Sequence, residues 1–171
     1  MKLYHGSADF LPRGTLLKPR SRAGLIDDEF KLHELLTLHT FDYFKPSGLI
    51  GRLQAIYCTD APELCSPLGA WGEMVFEVTP LGKVEKYHAS WFPALLNYLT
   101  EATLDIWEQT GPLTLKQAVA LLPQHGWPTS EMEAIAADYW AGLAADDHDH
   151  WEYLMRSAVV VHEVEVPEVS L

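Results

Sequence analysis

The run LYHGS (3–7) is apolar and β-prone until it meets an ionisable ring, and it then hands over to Gly6 and Ser7. A strand with no further duty would place another Val or Ile there, so His5 is the first candidate for chemistry. Two more stand further along, Tyr57 in AIYCTD (55–60) and Glu152 in WEYLM (151–155). An imidazole can hold a ligand hydroxyl, a phenol ring can stack on a flat group, and a carboxylate can face a growing positive charge. Singly, each has an ordinary structural explanation: a satisfied histidine at a strand end, a core aromatic, a solvated carboxylate beside Trp151. A fourth candidate, DDHDH (146–150), sets carboxylates and imidazoles close together as a transition metal requires. No second ligand cluster accompanies it. A polar loop leading into the last strand is therefore the favoured reading, with a lining beside Glu152 as another. Cys58 and Cys65 are too few for a disulfide framework and lack partners at zinc spacing, so reduced thiols and no metal are expected.

The elements that must position these residues differ along the chain. Residues 1–90 are mixed. Strands are expected at LYH, LQAIYCT (53–59) and EMVFEVTP (73–80), with part of 27–44 helical. In TDAPELCSPLGA (59–70), Asp60 can cap a helix that tolerates Pro62 in its first turn. Residues 91–145 are almost wholly helical. Leu95, Leu99, Ala102 and Ile106 share one face and Gly111 ends that pattern. Thr114 can cap a second helix with a Leu115, Val119 and Leu122 stripe. Ser130 and Glu133 have capping-box spacing before a third, with Met132, Ile135, Tyr139 and Leu143 on one side. Residues 151–166 return to strand, Val160, Val164 and Val166 alternating with Val161, Glu163 and Glu165. The expectation is one domain, 1–171, with a β-rich core (1–90 and 151–171) and a helical insert (91–145). Its first and last strands would be brought together in one sheet.

Composition narrows the function classes. With 171 residues, 48% of them hydrophobic, the chain can bury a core. No apolar run approaches membrane-spanning length and the N-terminus lacks a signal-peptide layout, so a cytoplasmic protein without membrane contact is expected. The net charge of −12, from 24 acidic against 12 basic residues, opposes gripping a phosphate backbone, so duplex nucleic acid is an unlikely partner. Cations cluster in the first third, where Arg13, Lys18, Arg20 and Arg22 are close in sequence and a small anionic ligand could be held.

Taken in order, LYHGS, AIYCTD and WEYLM before a valine-rich strand resemble the ADP-ribosyltransferase superfamily. The resemblance is to its H-Y-E branch, which includes poly(ADP-ribose) polymerase catalytic cores and diphtheria-type toxins. YHGSADFLPRGTLLKP and EMVFEVTPLGKVEK also resemble the small rifamycin ADP-ribosyltransferases. The similarity covers 1–90 and about 150–166 and leaves the helical stretch unmatched. The rifamycin enzymes carry Asp where Glu152 stands here, so their substrate does not transfer.

The resemblance implies an α+β fold, a split antiparallel β-sheet with a cleft, carrying the three-helix insert. It implies NAD⁺ as co-substrate and release of nicotinamide as one ADP-ribose passes to an acceptor, a protein being favoured over a small molecule. Glu152, His5 and Tyr57 would be catalytic. Glu152 faces the oxocarbenium-like charge, Tyr57 stacks on nicotinamide, and His5 donates to a ribose hydroxyl as a clamp. Gly6 lets the backbone approach the carboxamide, and Ser7 adds a contact. Tyr43 and Phe44, near His33, His39 and Phe41, would cover the NAD⁺ pocket unless they form a local core. The tryptophans, concentrated in the insert, are assigned mainly to packing. A catalytically silent binding module and an NAD⁺ glycohydrolase are the alternatives.

Overall fold

A computed structural model of the chain describes residues 1–65 and 74–166. Its packing divides the chain into two compact units, one of Met1–Pro19, Gln54–Tyr87 and His148–Leu171, the other of Arg20–Leu53 and His88–Asp147.

The first unit is built from strands. β1 (Leu3–Ser7), β5 (Met74–Pro80), β9 (Ala158–Val164) and β2 (Leu16–Leu17) form one sheet in the order β1-β5-β9-β2, with antiparallel pairing throughout. β4 (Ile56–Cys58), β8 (Trp151–Met155) and β6 (Val84–His88) form a second, in the order β4-β8-β6. The alternation that marked these segments in the sequence turns Leu3, Phe76, Val78 and Val160 of one sheet, and Ile56, Cys58, Tyr153 and Met155 of the other, into a single apolar cluster.

Two expectations change. Residues 151–166 are not one strand: the chain breaks at Arg156 and Ser157, and β8 and β9 enter different sheets. Reciprocal bonds between Leu81 and Ser157 hold that break against the β5–β6 turn: the Leu81 amide donates to the Ser157 carbonyl (2.9 Å), and the Ser157 hydroxyl to the Leu81 carbonyl (3.1 Å). The first and last strands share a sheet, but β5 lies between them. Beyond β4, Pro62–Cys65 form a short 3₁₀ turn rather than the start of an α-helix, and residues 66–70 of that expected element lie outside the described residues.

The second unit is helical. α1 (Glu29–Tyr43) is capped by Asp28, which accepts from the Lys31 amide at 2.8 Å. α2 (Trp91–Thr110) buries Leu95, Leu99, Ala102 and Ile106 as the spacing indicates and stops at Gly111. α3 (Leu115–Leu121) has a full capping box between Thr114 and Gln117. Ala118 is its buried position, Leu115 and Val119 are half-buried, and Leu122 is buried just beyond its end. α4 (Ser130–Trp140) is capped one residue earlier than the sequence spacing indicates, Thr129 accepting from the Met132 amide. It ends before Leu143, which is exposed; Ala136 takes the buried place expected of Ile135. Two-residue strands β3 (Leu25–Ile26) and β7 (Leu113–Thr114) pair antiparallel here.

α1 packs against α2, α3 and α4, so the helical part draws in residues well before 91. Trp127 and Trp140 are buried and donate to Thr40 Oγ1 (3.0 Å) and the Phe41 carbonyl (2.8 Å) on α1. At the end of α1, both Asp42 carboxylate oxygens accept backbone amides, those of Arg52 and Leu53. A Cβ on Gly51 would stand 2.8 Å from Asp42 Oδ2. The carboxylate can retreat only by releasing those amides. Gly51→Ala should therefore destabilise the protein by about 1–3 kcal/mol in urea melts. Gly24→Ala, whose Cβ would meet nothing within 4 Å, should stay within about 0.5 kcal/mol.

Candidate functional site

All three proposed catalytic residues belong to the strand unit. The sheets meet where β1 runs beside the end of β4: Tyr4 and Thr59 form an isolated antiparallel bridge, exchanging backbone bonds of 2.8 and 3.0 Å. One residue on, His5 Nδ1 lies 2.9 Å from the Tyr57 carbonyl oxygen. A carbonyl can only accept, so Nδ1 carries the proton and, in the neutral ring, Nε2 carries the lone pair.

Strand alternation sorts the side chains of the second sheet. Ile56 opposes Met155 and Cys58 opposes Tyr153, and all four join the apolar core. Tyr57 opposes Leu154 and takes the other face, with Glu152 two residues along β8 on that same face. Tyr57 and Glu152 are thus diagonal neighbours on adjacent strands, a relation that spans about 7–8 Å. β6 flanks β8 on its other side. Val84 packs on the core, and the Lys86 ammonium sits over the Trp151 and Tyr153 rings at 4.5 and 5.5 Å. Glu85 and Tyr87 consequently turn to the Glu152 face. Glu152, Glu85 and Tyr87 are all buried, Glu152 at 1% exposure.

Glu85 is the residue that sequence reading passed over. Tyr87 donates to it at 3.1 Å and Lys83 forms an ion pair with it. The signal was available in the alternation of VEKYH, which sets Glu85 and Tyr87 on one side. Glu77 on β5 is largely shielded between Lys2 (2.7 Å) and His162 (3.8 Å).

On the opposite face, the Tyr153 hydroxyl donates to Asp60 Oδ2 at 2.7 Å, tying the residue after Glu152 to the chain just beyond Tyr57. Burial, then Asp60, pushes the Tyr153 phenol far above its ordinary value, and burial with Glu85 does the same to Tyr87. Cys58 is buried and its thiol is pushed up by burial, which removes it as a thiolate nucleophile.

The remaining candidates have defined places. Ser7 is buried and its Oγ accepts from the Asp9 amide at 3.1 Å; Gly6 pairs with Val75 in the β1–β5 ladder. Tyr43 and Phe44 belong to the helical unit, where they contact one another edge-on at 5.0 Å and Tyr43 meets Trp127 at 4.7 Å. His39 also stacks near Trp127 (5.7 Å), and burial lowers its pKa. His33 Nε2 donates to the Thr100 carbonyl at 3.3 Å, and Phe41 packs on Tyr139 at 4.6 Å. Within DDHDH, Asp146 Oδ1 faces the fully buried His88 Nε2 at 3.7 Å. Among the described residues no three His, Cys, Asp or Glu side chains converge as a metal site requires.

No family model matches the chain, and neither a curated protein nor a solved structure does.

The raised phenols give a pH-dependent test. A phenol whose pKa rises on folding contributes stability that is complete below its unfolded value of 10.0 and is lost as pH climbs through the folded value. Tyr153→Phe should cost about 1 kcal/mol at pH 7. It should also leave the ultraviolet tyrosine titration through pH 10.0 unchanged. Disappearance of a phenol titrating near its ordinary pKa in this variant would contradict the assignment.

Proposed function

We propose that this protein is an NAD⁺-dependent mono-ADP-ribosyltransferase, with an acceptor that is a protein rather than a small molecule. The observation that carries the reading is the convergence of its three motifs in one unit: Tyr57 and Glu152 share a sheet face, and His5 is bonded to the backbone of Tyr57. The fold is α+β with antiparallel sheets. That the two sheets form the split sheet and cleft of this superfamily, with the helices as its insert, is part of the proposal.

The residues fit the chemistry as follows. Cleavage of the bond between nicotinamide and ribose leaves positive charge on the sugar. A carboxylate fixed on a strand stabilises that charge more in the transition state than in the bound substrate, without reorganising. Glu152 is buried, where its charge is least screened. Tyr57, half-exposed beside it, offers a ring on which nicotinamide can stack. His5 donates its Nδ1–H to the Tyr57 carbonyl, so the neutral ring would meet a ribose hydroxyl as an acceptor, through Nε2, rather than as the donor expected from the sequence. This fixes the clamp to the element that carries the stacking ring. Gly6 and Ser7 would line the nicotinamide carboxamide beside that clamp.

The test is nicotinamide release from NAD⁺ by the wild type and Glu152→Gln, with and without cell lysate. Release by the wild type should rise with lysate and label an acceptor, and Glu152→Gln should cut kcat about 10²–10³-fold with little change in KM. Tyr57→Ala should instead raise KM for NAD⁺. NAD⁺ binding without release points to a silent binding module; free ADP-ribose without a labelled acceptor points to a glycohydrolase.

A further inference from the structure

His150 stands where the DDHDH loop enters β8. Its amide donates to the His148 carbonyl at 2.9 Å, closing the turn that ends the loop. Its ring nitrogen Nε2 is shielded from solvent and meets no hydrogen-bond partner among the described residues. Buried polar atoms in native folds are nearly always paired, and one left over is characteristic of a group kept for a ligand or a reaction. Residues two apart in an extended chain take the same side. His150 immediately precedes β8 and stands two residues before Glu152, whose side of the strand Leu154 and the opposing Tyr57 share. Tyr153, the next polar side chain along β8 after Glu152, turns to Asp60 on the opposite side of the sheet.

We propose that His150 is the general base that deprotonates the acceptor, an inference that rests on the transferase reading above. As the acceptor atom bonds to ribose C1′, the bond from C1′ to nicotinamide breaks. Its electron pair stays on the nicotinamide nitrogen and cancels the pyridinium charge. The acceptor's N–H or O–H proton passes to the Nε2 lone pair of His150, leaving an imidazolium two residues from the Glu152 carboxylate. Glu152 then faces the sugar charge throughout and carries no proton. A neutral imidazole is matched to this task near pH 7. Water as acceptor makes the same demand, so the step can be read without knowing the natural acceptor.

The experiment is steady-state nicotinamide release from NAD⁺ in buffer alone, comparing wild type, His150→Gln and His150→Ala, with free imidazole added to the last. His150→Gln should lower kcat about 10²–10⁴-fold while KM for NAD⁺ stays within about twofold, and imidazole should restore part of the His150→Ala rate. A residue that merely supports the loop would raise KM or the unfolded fraction and would not respond to imidazole; that pattern, or an unchanged kcat, overturns the proposal while leaving the transferase intact. Wild type that binds NAD⁺ but releases no nicotinamide overturns both. Should the variants not fold, ¹⁵N-histidine NMR of the wild type decides: Nε2 of His150 should be unprotonated at pH 7.5, and a protonated Nε2 overturns the assignment.

Discussion

Tyr4 and Thr59 exchange both backbone hydrogen bonds, and a ladder continued from that bridge would next set Gly6 against Tyr57, with the Tyr57 carbonyl accepting from the Gly6 amide. It does not continue. The His5 ring enters and takes the carbonyl with its Nδ1–H. β1 is thereby left to pair with β5, and β4 with β8, so what would be one sheet parts into two. Much of the strand unit follows from this parting. The apolar sides of both sheets share a core, and the sheet that carries Tyr57 turns Tyr57 and Glu152 to its other face. An isoleucine at position 5 would satisfy β propensity and provide no donor to hold the strands apart.

The helical unit rests on a different constraint, a cation in an apolar setting. Arg52 is 3% exposed, and its guanidinium carbon lies 4.8–5.4 Å from the ring centroids of Tyr139, Phe41 and Phe92, contributed by α4, α1 and α2. A delocalised, weakly hydrated guanidinium tolerates such surroundings where an ammonium would not. Asp42 fixes the approach by holding the Arg52 amide, although burial raises its own pKa. The ring contacts and the carboxylate tie therefore form one device, which explains why α1, distant in sequence, packs with the later helices.

Local signals were legible wherever one element's own residues decide its form. The caps Asp28 and Thr114, the buried stripe of α2 and the stop at Gly111 were all readable from periodicity and capping chemistry. What escaped depends on partners. The break between β8 and β9 is set by Leu81 bonding to Ser157, and nothing in WEYLMRSAVVV announces it. Thr129 and Ser130 are chemically equivalent caps, and packing of Met132, Ala136 and Tyr139 selects between their phases. At the candidate site the positions of His5, Tyr57 and Glu152 came from motif order, whereas Glu85 needed β6 to be placed beside β8 before its burial had meaning.

A half-buried strand normally has an apolar, buried face and a polar, wet one. The second sheet departs from this. One face carries Ile56, Cys58, Tyr153 and Met155 into the core. The other carries Tyr57, Glu152, Glu85 and Tyr87 around the apolar Leu154, and all but Tyr57 are buried. Shielding carboxylates costs several kcal/mol each unless fixed partners replace water, and Tyr87 and Lys83 supply such partners to Glu85. A face both polar and dry makes a charge effective on whatever lies against it, because water no longer screens it. Under the proposed function, that is what Glu152 would use against the charge that grows on the sugar.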